Sequence, residues 1–114
     1  MDIQLISSEN RQQVNDLMIS LWYSTVMVIR GEFVDTAVLD GFAAYDNKDV
    51  VGLVTYRIKD DECEIVSLAS SIENQGIGTS LIHKVKEIAL EQKCSRLKLI
   101  TTNDNINALR FYQK

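Results

Sequence analysis

A chain of 114 residues has the length of one domain, and its 46% apolar and 25% charged shares are those of an ordinary globular protein. With 16 acidic against 12 basic residues the formal net charge is −4, opposite to the balance of proteins that grip nucleic acid by bulk electrostatics. No apolar run approaches the roughly 20 residues of a membrane span.

The N-terminus, Met1–Ile6, has an acid at position 2 and no basic start, unlike a signal peptide. Cys63 and Cys94 are too far apart for a CxxC motif, and the single histidine, His83, completes no ligand cluster. These features lead us to expect a cytoplasmic, metal-free domain with reduced thiols, spanning residues 1–114 as one unit.

In chain order, Ile3–Ser7 alternates as a short first strand. Ser7, Ser8 and Asn10 offer capping oxygens, and Val14, Leu17, Met18 and Leu21 follow at helical spacing, predicting a helix over 10–22. Residues 23–40 read as mixed: Val26, Val28 and Ile29 suggest extended chain, and Val34–Leu39 fits a helical turn or a strand. Phe42–Tyr45, Val50–Ile58 and Cys63–Ala69 are three β-rich runs, joined by turns at Asp46–Asp49 and Lys59–Asp61. They predict an antiparallel meander.

The period then changes. Ile77, Leu81, Ile82, Val85, Ile88 and Ala89 mark one face of a helix that runs from Gly76 to near Lys93. Ser95–Thr101 alternates as a strand, Asn103–Asn105 is a polar turn, and Ile106–Tyr112 begins another helix. Strand, helix and strand from 63 to 101 make a βαβ unit, so the last strand pair is parallel. The expected fold class is α+β, with a mixed sheet.

The segment Glu73–Thr79 joins a strand to a helix N-terminus and carries Gly76 and Gly78. The first helical turn leaves backbone N–H groups without internal partners and bears partial positive charge, which makes an anion seat suited to phosphate. Glycines before a helix also occur simply as tight-turn residues. The Walker A loop fails here, because no lysine follows Gly78. The Rossmann fingerprint fails too, because Leu81 stands where its third glycine belongs and a meander precedes the turn.

Gly76-Ile77-Gly78 followed by Thr79-Ser80-Leu81-Ile82 resembles the signature turn of the GNAT superfamily of acetyl-CoA-dependent N-acyltransferases, with Glu73 at a position usually held by Arg or Gln. Asn105-Ile106-Asn107-Ala108-Leu109-Arg110-Phe111-Tyr112 resembles the family's Asn-x-x-Ala-x-x-Phe-Tyr segment. The two motifs stand in the right order, one helix and one strand apart, after a meander that also fits. The resemblance covers residues 40–114 well and the first helix loosely. It implies a GNAT-like acyl-CoA N-acyltransferase fold whose two parallel strands splay apart.

The resemblance further implies that pantetheine lies along the backbone at Val66 and Leu68. The pyrophosphate would sit on the amides of residues 74–79, that is Asn74, Gln75, Gly76, Ile77, Gly78 and Thr79. The cosubstrate would be acetyl-CoA and the partner an amine acceptor, of a small molecule or a peptide. Tyr112 would protonate the departing thiolate, Leu68 N–H would receive the oxyanion, and Asn105 would hold the cofactor or a water. Glu64 is the candidate base, with Glu62 or a chain of waters as competitors. Glu32 and Asp35 fall where the family builds its acceptor pocket.

Each of these residues also has a plain structural reading. Tyr112 can be helix packing, Asn105 an N-cap, and Glu64 a solvated strand residue. Trp22 and Tyr23 fit core or pocket wall, His83 an exposed helix face, and the two cysteines small apolar fillers. The family continues past the Tyr-bearing helix, whereas this sequence ends at Lys114. Two expectations follow: a domain short at its C-terminus, and a homodimer that covers the open edge of the last strand. A non-catalytic acyl-CoA-binding domain and a nucleotide-phosphate binder are the alternative readings.

Overall fold

A computed structural model describes residues 2–29, 31–71 and 76–99. In order, these form β1 (Asp2–Leu5), α1 (Arg11–Trp22), β2 (Val26–Ile29), β3 (Glu32–Asp35), a 3₁₀ turn (Thr36–Val38), β4 (Asp40–Asp46), β5 (Asp49–Lys59), β6 (Glu62–Ser70), α2 (Ile77–Glu91) and β7 (Arg96–Leu99). The main sheet has the order β1-β4-β5-β6-β7, antiparallel except for the parallel pair β6–β7. The predicted mixed sheet is therefore present, with β1 added at one side of the meander. The predicted helix at 106–112 and the end of the last strand lie outside the described residues.

Residues 23–40 resolve into a separate two-stranded antiparallel sheet, β2–β3, closed by the 3₁₀ turn. Both readings of Val34–Leu39 were half right: the segment is strand to Asp35 and helical turn from Thr36. Asp35 caps that turn by accepting from Ala37 N–H. The Thr36 hydroxyl donates to the Thr25 carbonyl at 2.7 Å, which pins the turn to the entry of β2.

The two faces of the sheet divide by strand alternation. Phe42, Val54, Tyr56, Cys63, Ile65 and Leu68 face α2 and meet its apolar stripe of Ile77, Leu81, Val85 and Ala89. Ala43, Leu53 and Ala69 face the other way and meet Val14 and Met18 of α1. Val66 meets Val34 of β3 on that same side. Asn10 precedes α1 as foreseen, but its side chain does not cap the helix. It turns back to accept from Ser7 N–H and to donate to the Leu5 carbonyl, fixing the exit from β1.

Cys63 is fully buried and Cys94 only partly so. Burial pushes the Cys63 thiol up to about 11, with lesser contributions from Cys94 and Glu64. The folded protein therefore holds this proton more tightly than an unfolded chain, whose thiol titrates near 9.0. Its contribution to stability is intact below about pH 9 and is lost as the pH rises to about 11. The stability gap between wild type and Cys63→Ala, measured by urea unfolding, is expected to narrow across that interval. A gap that stays constant would contradict this.

Candidate active site

The site is built where β6 meets α2. Pairing of β6 with β7 runs from Glu62–Arg96 to Ile65–Leu99, and β6 continues to Ser70. On its other side, β6 pairs Ser67 with Thr55 but Ile65 with Tyr56, so Val66 is an extra residue, a β-bulge. A bulge bends the strand and increases its twist. The bend thus falls next to the last described pair of the parallel ladder. Val66 and Leu68 are fully buried there, and the Thr55 and Ser67 hydroxyls bond to one another beside the bulge.

Gly76 precedes α2 with φ 71° and ψ 14°, the left-handed conformation that costs other L-residues roughly 1–2 kcal/mol. It contributes no side-chain cap, and the first turn of α2 holds no acidic residue. The backbone amides there carry the positive end of the helix dipole with no carboxylate of their own turn to neutralise it. A Cβ placed on Gly78 would meet nothing within 4 Å among the described residues. Ile77 points inward and is buried, whereas Gly78 and Thr79 are partly exposed. The turn is therefore anchored on its apolar side by Ile77, with Gly78 and Thr79 left partly exposed.

That anchoring depends on Gly52, which the sequence reading did not single out. A Cβ there would lie 2.6 Å from Ile77 Cγ2 and 3.2 Å from the Ala69 carbonyl oxygen. Only glycine lets the start of α2 settle this closely on β5.

Glu64 is not a solvated strand residue: it is 3% exposed. Its carboxylate accepts a hydrogen bond from Arg57 Nε at 2.8 Å. The Arg57 guanidinium also reaches Glu32 at 3.4 Å. The bond to Glu64 is the largest cause of a rise in the Arg57 pKa above its usual value, partly opposed by desolvation, so the cation is fixed at all working pH. Glu62, the competitor, is bound instead to Lys98 at 3.1 Å and Arg96 at 3.7 Å. Asp35 is engaged as a cap and by the Thr25 hydroxyl, whereas Glu32 is largely exposed.

The structure thus brings Glu64, Val66 and Leu68 onto one strand, with Gly76, Ile77, Gly78 and Thr79 at the start of the helix that follows it. Asn74, Gln75, Asn105 and Tyr112 lie outside the described residues. His83 stands on an exposed face of α2, Trp22 lies against the α1 side of the core, and Tyr23 is exposed. Arg57 was missed. Counting back equally from the turn at Asp60–Asp61 places it opposite Glu64, and the observed register agrees. Among the described residues, no cluster of His, Cys, Asp and Glu is arranged to hold a metal, and no helix is long and apolar enough to cross a membrane.

Residues 6–114 match the acetyltransferase (GNAT) family, and the chain belongs to it. Two proteins of Bacillus subtilis (strain 168), both named as uncharacterized, are similar. YdhI is 45% identical over 105 residues, and YxbD is 50% identical over 94. These alignments span 91% and 82% of this chain but 66% and 59% of the relatives, so the chain spans less than two thirds of their length. Among solved structures, aminoglycoside N-acetyltransferase AAC(6')-Iy in complex with CoA superposes with a TM-score of 0.74 at 17% identity, covering 98% of this chain and 87% of that one. At that identity the likeness is one of fold.

Proposed function

We propose that this domain binds acetyl-CoA across the β6–α2 junction and transfers its acetyl group to a primary amine of a small molecule or peptide. The observation that carries the reading is the bulge at Val66. It bends β6 at the last described pair with β7 and leads the strand toward a left-handed glycine at the head of α2. Family membership supplies the cosubstrate class, and the CoA complex of AAC(6')-Iy, an aminoglycoside acetyltransferase, supports both CoA and an amine acceptor.

Pantetheine would follow the backbone at Val66 and Leu68. The pyrophosphate would rest on the amides of residues 74–79, where no described residue crowds Gly78. A primary amine with a pKa of about 10.4 is mostly ammonium at neutral pH and has no lone pair to attack with. Glu64 would take its proton, directly or through a water. The neutral nitrogen would then attack the thioester carbonyl, forming the N–C bond and a tetrahedral oxyanion; its collapse would break the C–S bond, the nitrogen giving up its surplus proton to solvent as the departing thiolate takes one up. Leu68 N–H as oxyanion donor, Tyr112 as proton donor to the thiolate and Asn105 as cofactor or water ligand are carried on the resemblance. Cytoplasmic location, and a homodimer along the sheet edge beyond β7, belong to the same proposal for the whole protein.

The test is amine-dependent release of free thiol from acetyl-CoA, with Tyr112→Phe alongside. General acid catalysis is worth about 10²–10⁴-fold, so the variant should lose on the order of 100-fold in turnover and keep its CoA affinity. Binding of CoA with no amine-dependent release would instead assign the domain to acyl-CoA binding without catalysis.

A further inference from the structure

We propose that Arg57 is a positioning residue for the transfer: it fixes the Glu64 carboxylate on β6 and ties β3 over it. The inference rests on the reading of Glu64 as the group that takes the acceptor's proton.

Glu64 is an expensive residue to keep. Its side chain is 4% exposed, and a carboxylate removed from water costs several kcal/mol unless it is paired and hydrogen-bonded. The pairing comes from a residue directly opposite on the neighbouring strand, since Arg57 and Glu64 are register partners. Both ends of the 2.8 Å bond therefore sit on sheet, not on loop.

The same guanidinium makes a second contact of a different kind. Its terminal nitrogens reach Glu32 Oε1 of β3 at 3.4 and 3.5 Å. That carboxylate is 60% exposed, so solvent screens the pair. The close, shielded bond sets the position of Glu64, while the long, wet contact guides the β2–β3 hairpin. Val34 of the hairpin packs on Val66 of β6, two residues beyond Glu64. Among the described residues, an apolar contact and an ionic contact thus both join the hairpin to the strands around the bulged segment.

Among the described residues, one guanidinium bridges two carboxylates on different strands, Glu64 of β6 and Glu32 of β3. Lysine would supply a point charge without the planar fork that serves both carboxylates at once.

The experiment measures free-thiol release from acetyl-CoA with sisomicin and with spermidine as probe amines. Turnover, the KM for acetyl-CoA and the thermal shift given by CoA are recorded for wild type, Arg57→Lys and Arg57→Met. If wild type releases thiol with neither amine, the proposed function falls and this inference falls with it. Where wild type is active, Arg57→Met should lose on the order of 100-fold in kcat, the scale of a small misplacement of a reacting group. Its KM for acetyl-CoA and its CoA thermal shift should stay at wild-type values, and Arg57→Lys should recover part of the loss. Unchanged kcat in Arg57→Met, or kcat and CoA shift falling together in both variants, would overturn the proposal while leaving the proposed function standing. If Arg57→Met does not fold, Arg57→Lys decides: reduced kcat with an intact CoA shift supports the role, and wild-type kcat overturns it.

Discussion

Gly78→Asp should fold as well as wild type, or better, and bind acetyl-CoA far more weakly. The substitution separates the two meanings of this glycine. A Cβ at Gly78 meets nothing within 4 Å among the described residues, so their packing does not require glycine there. Gly78 is the second residue of α2, whose first turn has no acid. An aspartate in that turn gains roughly 0.3–1 kcal/mol from the helix dipole, and replacing a helical glycine removes part of a penalty of about 1 kcal/mol. Stability alone therefore predicts a neutral or favourable change.

The cosubstrate would experience the opposite sign. A carboxylate about 4 Å from a pyrophosphate oxygen costs about 1 kcal/mol in water and about 4 kcal/mol near a protein surface. Each 1.4 kcal/mol is tenfold in affinity, so the dissociation constant should rise between about fivefold and several hundredfold. Calorimetric titration with acetyl-CoA and a urea melt, run on the same sample, read the two effects separately. Unchanged affinity in a stable variant would move the phosphate seat away from this turn.

Gly52→Ala should destabilise the protein by about 1–3 kcal/mol, the usual cost of forcing a methyl into a packed site. The added carbon would lie 2.6 Å from Ile77 Cγ2, and Ile77 is itself buried against the sheet. Removing that methyl in Ile77→Ala costs cavity energy on its own. The double variant should then be more stable than the sum of the two single losses, because the alanine occupies room that Ile77 vacates. Since Ile77 opens α2, Gly52→Ala should also weaken acetyl-CoA binding by shifting the amides of the following turn. Additive losses in the double variant would show that the two residues do not share this contact.

These two glycines also show what was legible in the sequence. Gly76 could be read locally, because a glycine immediately before a helical apolar period is a turn signal, and its φ of 71° bears this out. Gly52 could not, because its constraint comes from a side chain 25 positions away that arrives only when α2 docks. The meander and the βαβ unit were readable from strand alternation and from the change of period at Gly76. The segment 23–40 was not. Phe33 and Val38 are 77% and 78% exposed, so apolar pattern and burial disagree there, and β2–β3 forms a sheet of its own. Glu64 could be named from the sequence only as a candidate; its burial and its pairing with Arg57 follow from the turn register that puts the two opposite. Asn10 was placed correctly at the start of α1, yet its oxygen serves the chain behind it instead of the helix ahead.

If the β6–α2 junction seats acetyl-CoA, the cosubstrate must stabilise the folded chain. The most direct measurement is the melting temperature of the wild-type chain with acetyl-CoA, with ATP and with NAD, each added in parallel. A ligand that binds only the native state stabilises it by about 2.7 kcal/mol at a hundredfold excess over its dissociation constant. A clear rise is expected with acetyl-CoA, and none of comparable size with ATP or NAD. An equal rise with all three would make the junction a general phosphate seat, and no rise with acetyl-CoA in a well-folded sample would contradict the account.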